Sequence, residues 1–107
     1  MVDNHFQNLF ASSPCILGEG AVIERLRRNS ALELDPHLVN AAFIYAQAPR
    51  AALEAICHQY LEIGRNFDLP LLISTPTWRA SRERIVAAGY EGADVNGDNV
   101  RFLATLR

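Results

Sequence analysis

Lysine is missing from this chain: the ten basic side chains among its 107 residues are all arginine. A bias of that kind carries no functional meaning alone. An excess of positive charge is missing too. The formal net charge is −2, which leaves no electrostatic footprint for nucleic acid or an acidic membrane surface. No apolar run approaches the length of a membrane span. The first residues carry Asp3 and no apolar core, so no signal peptide is expected there. The two cysteines, Cys15 and Cys57, are too few for a disulfide framework and read as reduced, mostly buried thiols of a cytoplasmic protein. Repeats and low-complexity tracts are absent.

Several chemical signatures are missing as well. Gly18-Glu19-Gly20 has no third glycine opening a helix, so it is not a dinucleotide fingerprint, and no Gly-Lys-Ser/Thr ending makes a phosphate loop. No Cys/His set has metal-ligand spacing. Cys57 and His58 are neighbours on a helix and point about 100° apart, so they cannot grip one ion together. Cys15 and Cys57 read as small hydrophobes of the core, and His58 as a solvated or boundary residue.

What remains is an ordinary globular balance, 50% apolar and 21% charged, sized for one domain. Residues 1–14 read as a polar arm ended by Ser12-Ser13-Pro14. Cys15-Ile16-Leu17 is a short buried strand stopped by glycines. Ala21 to Arg28 is amphipathic and helical. Asp35-Pro36 is a helix start, and Leu38 to Ala48 is expected to be helical and buried. Pro49 opens the next helix. There Leu53, Ile56, Cys57, Tyr60 and Leu61 form an apolar stripe, with Gly64 as the left-handed residue that ends it. Leu69 to Thr75 is a second strand whose run Leu71-Leu72-Ile73 suggests burial on both faces, as in a parallel sheet. Ser81 caps a helix closed by Gly89. Val100 to Leu106 is helical, with Asn96 or Asp98 as its cap.

The order is therefore βαβα, an α/β arrangement. Two parallel strands alone leave open edges, so either more chain follows or copies associate; a homo-oligomer is expected. Ligands of α/β folds gather at the carboxyl ends of parallel strands. Two loops lie there, Gly18-Glu19-Gly20 and Thr75-Pro76-Thr77-Trp78-Arg79. Glu19 offers a carboxylate for an ammonium and Gly20 a place for close backbone approach. Thr75 and Thr77 offer hydroxyls, Trp78 an apolar wall, and Arg79 a fork for a carboxylate. The plainer alternative is a tight turn at the glycines and a core position for Trp78.

Taken in order, these segments resemble the N-terminal part of the homocysteine S-methyltransferase family, over about residues 15–106. Ile16-Leu17-Gly18-Glu19-Gly20-Ala21 is similar to that family's first strand and Asp-Gly-Gly/Ala loop. Pro49 through Tyr60-Leu61-Glu62-Ile63-Gly64 is similar to its Pro…His-x-x-Tyr-Leu-x-Ala-Gly helix. Thr75-Pro76-Thr77-Trp78-Arg79-Ala80-Ser81 resembles its Thr-x-Thr-Tyr-x-Ala-Ser loop, with Ala88-Gly89-Tyr90 the helix end behind it. The departures are Glu19 for the family's Asp, Cys57 for its helix His, and a longer link at Arg65 to Pro70.

The resemblance implies that residues 15–107 are the first βαβα portion of a (β/α)8 TIM barrel, incomplete in this chain. It implies methyl transfer from a donor to the thiol of homocysteine, in the cytoplasm, with a zinc ion held by three cysteines of later strands. No zinc is expected on this chain, and alone it is expected to be inactive. Carried over by position, Glu19, Gly20, Thr75, Thr77 and Trp78 would surround the amino-acid end of homocysteine. The alternative is a non-catalytic α/β module whose sheet is completed by self-association or by a partner chain.

Overall fold

Pro49 decides where the longest helix begins. Inside a helix its ring would clash with the carbonyl four residues back, that of Tyr45, so a helix can start only within a turn of it. A computed structural model of the chain describes residues 4–106 and shows that break. Ala46 is extended (φ −128°, ψ 141°), and the helix runs Gln47–Asn66. In chain order the elements are α1 (His5–Ser12), β1 (Leu17–Gly18), α2 (Val22–Arg27), a 3-10 turn (Phe43–Tyr45), α3 (Gln47–Asn66), β2 (Leu71–Leu72), α4 (Arg82–Ala87) and α5 (Val95–Ala104). The fold is mixed α/β and mostly helical, and its sheet is the parallel pair β1–β2, with Leu17 opposite Leu71 and Gly18 opposite Leu72.

The continuous helix expected over Leu38 to Ala48 is corrected. Asp35 Oδ1 does accept from the backbone N–H groups of His37 (2.7 Å) and Leu38 (2.8 Å), as a cap should. Val39 then turns to φ +61° and pairs back with Asp35 in both directions at 2.9 Å. The turn closes on itself and cannot propagate; the 3-10 turn is what remains. Within the expected N-terminal arm, His5–Ser12 is an α-helix with none of its residues buried. Met1–Asp3 and Arg107 lie outside the described residues.

The stripe on α3 packs as expected. Leu53, Ile56 and Cys57 are buried, in one cluster with Leu26, Phe43, Ile44, Phe102 and Leu106, and Tyr60 and Leu61 lie against it. A smaller cluster joins Leu38, Ala41, Ala80, Ile85 and Val95. Asn99 of α5 braces the smaller cluster: its Nδ2 donates to the carbonyls of Ala41 (2.9 Å) and Val95 (2.8 Å).

Gly64 does not end α3. It is buried two residues before the helix stops, where an added Cβ would stand 3.1 Å from the Leu69 carbonyl oxygen. Its own carbonyl accepts from Leu69 N–H at 2.9 Å. Glycine serves close passage of the chain entering β2 there, and Asp68 supplies the positive φ instead (51°). Gly89 does end its helix: at φ +85° it donates to Val86 O while Tyr90 N–H reaches Ile85 O, a Schellman motif. Ser81 caps α4 through Arg84 N–H (3.4 Å). The cap of α5 is Asp94, which accepts from Gly97 N–H (3.1 Å), rather than Asn96 or Asp98, so that helix starts at Val95 and not Val100.

The strands are shorter than expected, and Leu71-Leu72-Ile73 is not buried on both faces. Side chains alternate along a strand, and Leu72 is 54% exposed. Cys15 is exposed as well, because pairing begins only at Leu17. The molecule is a plate, 43 × 36 × 19 Å, with a radius of gyration of 15.2 Å, against about 13 Å for a compact chain of this size. Among the described residues no helix is long and apolar enough to cross a membrane.

Candidate functional site at the carboxyl ends of the strands

Parallel pairing brings the chain just after β1 and the chain just after β2 to the same edge of the sheet. Glu19, the first residue beyond β1, turns its carboxylate across the gap. Its Oε1 accepts from Ser74 N–H at 2.9 Å. Beside this bridge lies a cavity of about 180 Å3, lined by Glu19, Val22, Ile23, Asn40, Leu53, Cys57, Ser74, Thr75, Pro76, Trp78 and Leu103. That is below the roughly 300–1,000 Å3 of drug-sized pockets, and holds about six water molecules' worth of space at roughly 30 Å3 each.

Three of the five positions named from sequence, Glu19, Thr75 and Trp78, therefore share one cavity. Thr77 stands behind it, its hydroxyl 2.7 Å from that of Thr75 and its backbone N–H on the Thr75 carbonyl (2.8 Å). Gly20 is turned away: its carbonyl accepts from the Tyr60 hydroxyl, which pins the loop to α3. A Cβ at Gly20 would meet nothing within 4 Å, so no close approach requires a glycine there. Trp78 is not a core residue. It is 68% exposed, and the Arg79 guanidinium lies 4.3 Å over its ring, on the outer side where Trp78, Arg79, Ser81 and Arg84 line a shallow depression.

Electrostatics inside the cavity favour protonated groups. Burial raises the Glu19 pKa above its ordinary 4.5, with the Ser74 N–H pulling the other way. Burial, helped by the Glu19 and Glu54 carboxylates, pushes the Cys57 thiol up to about 11. Cys57 is thus both the core residue the stripe indicated and a wall of the cavity. Asn40 lies inside the apolar run Leu38 to Ala48, whose pattern predicts a buried helix and hides it. The signal was there: Asn40 is the one strongly polar side chain between Leu38 and Ile44, and it is buried.

The donor set does not fit a zinc ion. Among the described residues no three His, Cys, Asp or Glu side chains gather, and Cys15 is exposed where Cys57 is buried. The chemistry open to these residues is that of the cavity: one carboxylate, a hydroxyl pair, a buried amide, a neutral thiol and apolar walls. No protein-family model matches the chain, and no curated protein or solved structure matches it either.

Proposed function

We propose that this chain is the acceptor-holding part of a homocysteine S-methyltransferase-like barrel, with β1 and β2 as its first two strands. The observation that carries the reading is the Glu19–Ser74 bridge, which draws both strand-end loops around one small cavity. In this reading the ammonium of homocysteine lies on Glu19, whose Oε2 has no partner among the described residues, and Thr75 and Trp78 flank the chain. Methyl transfer forms a bond from the acceptor sulfur to the methyl carbon, and the thiol proton is released to solvent. It breaks the bond from that carbon to a sulfonium or ammonium donor, whose electron pair leaves with it. The residues of this chain orient the acceptor and supply neither the thiol activation nor the donor site.

Titration of the chain with homocysteine, followed by the Trp78 indole signal in NMR spectra, is expected to show saturable binding at about millimolar concentration. Glu19→Gln should weaken it about tenfold or more, since an ion-paired hydrogen bond contributes roughly 1.5–3 kcal/mol, with melting little changed. Equal binding by both proteins would remove Glu19 from the site. The pH dependence has a definite sign. A carboxyl raised in the folded state stabilises the fold fully below its unfolded pKa, and that contribution is lost as pH rises through the folded value. An ammonium on Glu19 favours the ionised form, so affinity should rise with pH above 4.5, as the raised pKa is passed.

A second reading, a module that associates with a second copy, is favoured by the uncovered face of β2. Leu61, Leu71, Leu72, Val100, Leu103 and Leu106 line a cleft of about 480 Å3 there, with Leu72 54% and Val100 57% exposed. The accessible surface is 7248 Å2, against about 5,900 Å2 for a monomer of this mass. The excess, about 1,300 Å2, is more than the roughly 800 Å2 that each partner of a stable complex buries. Sedimentation should then show a concentration-dependent dimer that Leu72→Glu dissolves, and a well-ordered monomer at all concentrations would rule this reading out.

A further inference from the structure

Asn40 is 2% exposed, yet its side-chain amide makes no hydrogen bond with any described residue. The contrast with Asn99 is instructive, because Asn99, equally buried, spends its Nδ2 on two backbone carbonyls. Burial of an unpaired amide costs about 1–3 kcal/mol, and buried polar groups are nearly always partnered. Asn40 lines the Glu19 cavity, and its amide is not among the sealed-off polar atoms, of which Asn99 Oδ1 is the instance.

We infer that Asn40 is a specificity-determining contact of this cavity, its amide N–H donating to the carboxylate of a compact α-amino acid whose ammonium lies on Glu19. The inference rests on the reading of Glu19 given above and adds the second anchor. The two groups are complementary to a zwitterion. Ionised Glu19 only accepts and carries the charge an ammonium needs, and Asn40 offers an uncharged donor that a carboxylate can take without a buried counter-charge. An amine without a carboxylate would leave the Asn40 amide unpaired. An acid without an amine would meet Glu19 as a like charge. Val22, Ile23, Leu53 and Leu103 leave apolar wall for a short side chain, and the volume admits about six to eight non-hydrogen atoms, the size of a four-carbon amino acid.

The test uses the full chain, with homocysteine and its decarboxylated thiol-amine analogue as probes, on the native protein and on Asn40→Ala, Asn40→Asp and Glu19→Gln. The native chain should prefer homocysteine at least about tenfold. Asn40→Ala should abolish that preference while leaving the melting temperature unchanged or raised, because it removes an amide with no protein partner. Asn40→Asp, of the same shape, should reverse the preference by placing a second carboxylate in the cavity. Glu19→Gln should weaken both probes. An intact preference in both Asn40 variants overturns the inference and leaves the Glu19 reading standing. So does a large drop in melting for Asn40→Ala, which would make the residue structural. If the native chain binds neither probe, the amino-acid reading of Glu19 falls and this one with it.

Discussion

Replacing Phe102 by alanine is expected to destabilise the fold by about 3–5 kcal/mol, the usual cost of removing a buried aromatic ring. Phe102 is 2% exposed on α5, in the cluster that joins α5 to α3, α2 and the 3-10 turn, and the Arg50 guanidinium rests 4.7 Å over its ring. A chain of this length has a total stability of about 5–15 kcal/mol, so the loss is a large share of the whole. Urea unfolding should show a much lower midpoint with an unchanged slope. Phe10→Ala is the control. It removes the same ring from α1, where Phe10 is 69% exposed and no residue is buried, and should change the midpoint by less than about 0.5 kcal/mol equivalent. Equal losses at the two positions would mean that α5 does not close the core as described.

Local signals were legible where local energy decides. The α3 stripe, the Ser81 cap and the Gly89 terminator each act within one or two turns, and each stands where the residues place it. The parallel pairing followed from the order of apolar runs between helices. The misreadings share a cause, a tertiary contact that overrides a local pattern. Asp35-Pro36 begins a cap, but Val39 folds back to pair with Asp35 before a helix can grow. Gly64 looks like a terminator, but the chain entering β2 passes close over it, where an added Cβ would stand 3.1 Å from the Leu69 carbonyl oxygen. Leu72 looks buried because its neighbours are apolar, although it is 54% exposed.

The same division runs through the candidate site. Glu19 and Thr75 were visible because a strand end fixes the direction of the loop that follows it. Gly20 is turned away with its carbonyl on the Tyr60 hydroxyl, 40 residues on, and Asn40, which follows the left-handed Val39, lines the cavity. Such distant contacts leave little trace in a linear pattern. A lone polar residue in an apolar run is the trace that Asn40 did leave.

Cys57 should resist alkylation in a way that reports on this whole arrangement. With its pKa pushed up to about 11, only about one molecule in a thousand carries the thiolate at pH 8, against about a quarter for an unfolded cysteine of pKa near 8.5. Burial at 4% exposure slows the reagent further. Iodoacetamide should therefore modify Cys57 at least about 100-fold more slowly in the folded chain than in urea, while Cys15, which is exposed, reacts at similar rates in both. The stability this thiol contributes has the matching sign. It is full below the unfolded pKa and is lost as pH rises through about 11. Glu19 carries part of the effect, since its carboxylate repels a thiolate at Cys57. Glu19→Gln should accordingly speed the labelling of Cys57 and leave Cys15 alone, a result that a merely occluded thiol would not give. Peptide mass spectrometry after timed labelling separates the two sites. Equal rates at Cys15 and Cys57 in the folded chain would place Cys57 outside the core and dissolve the wall it gives the cavity.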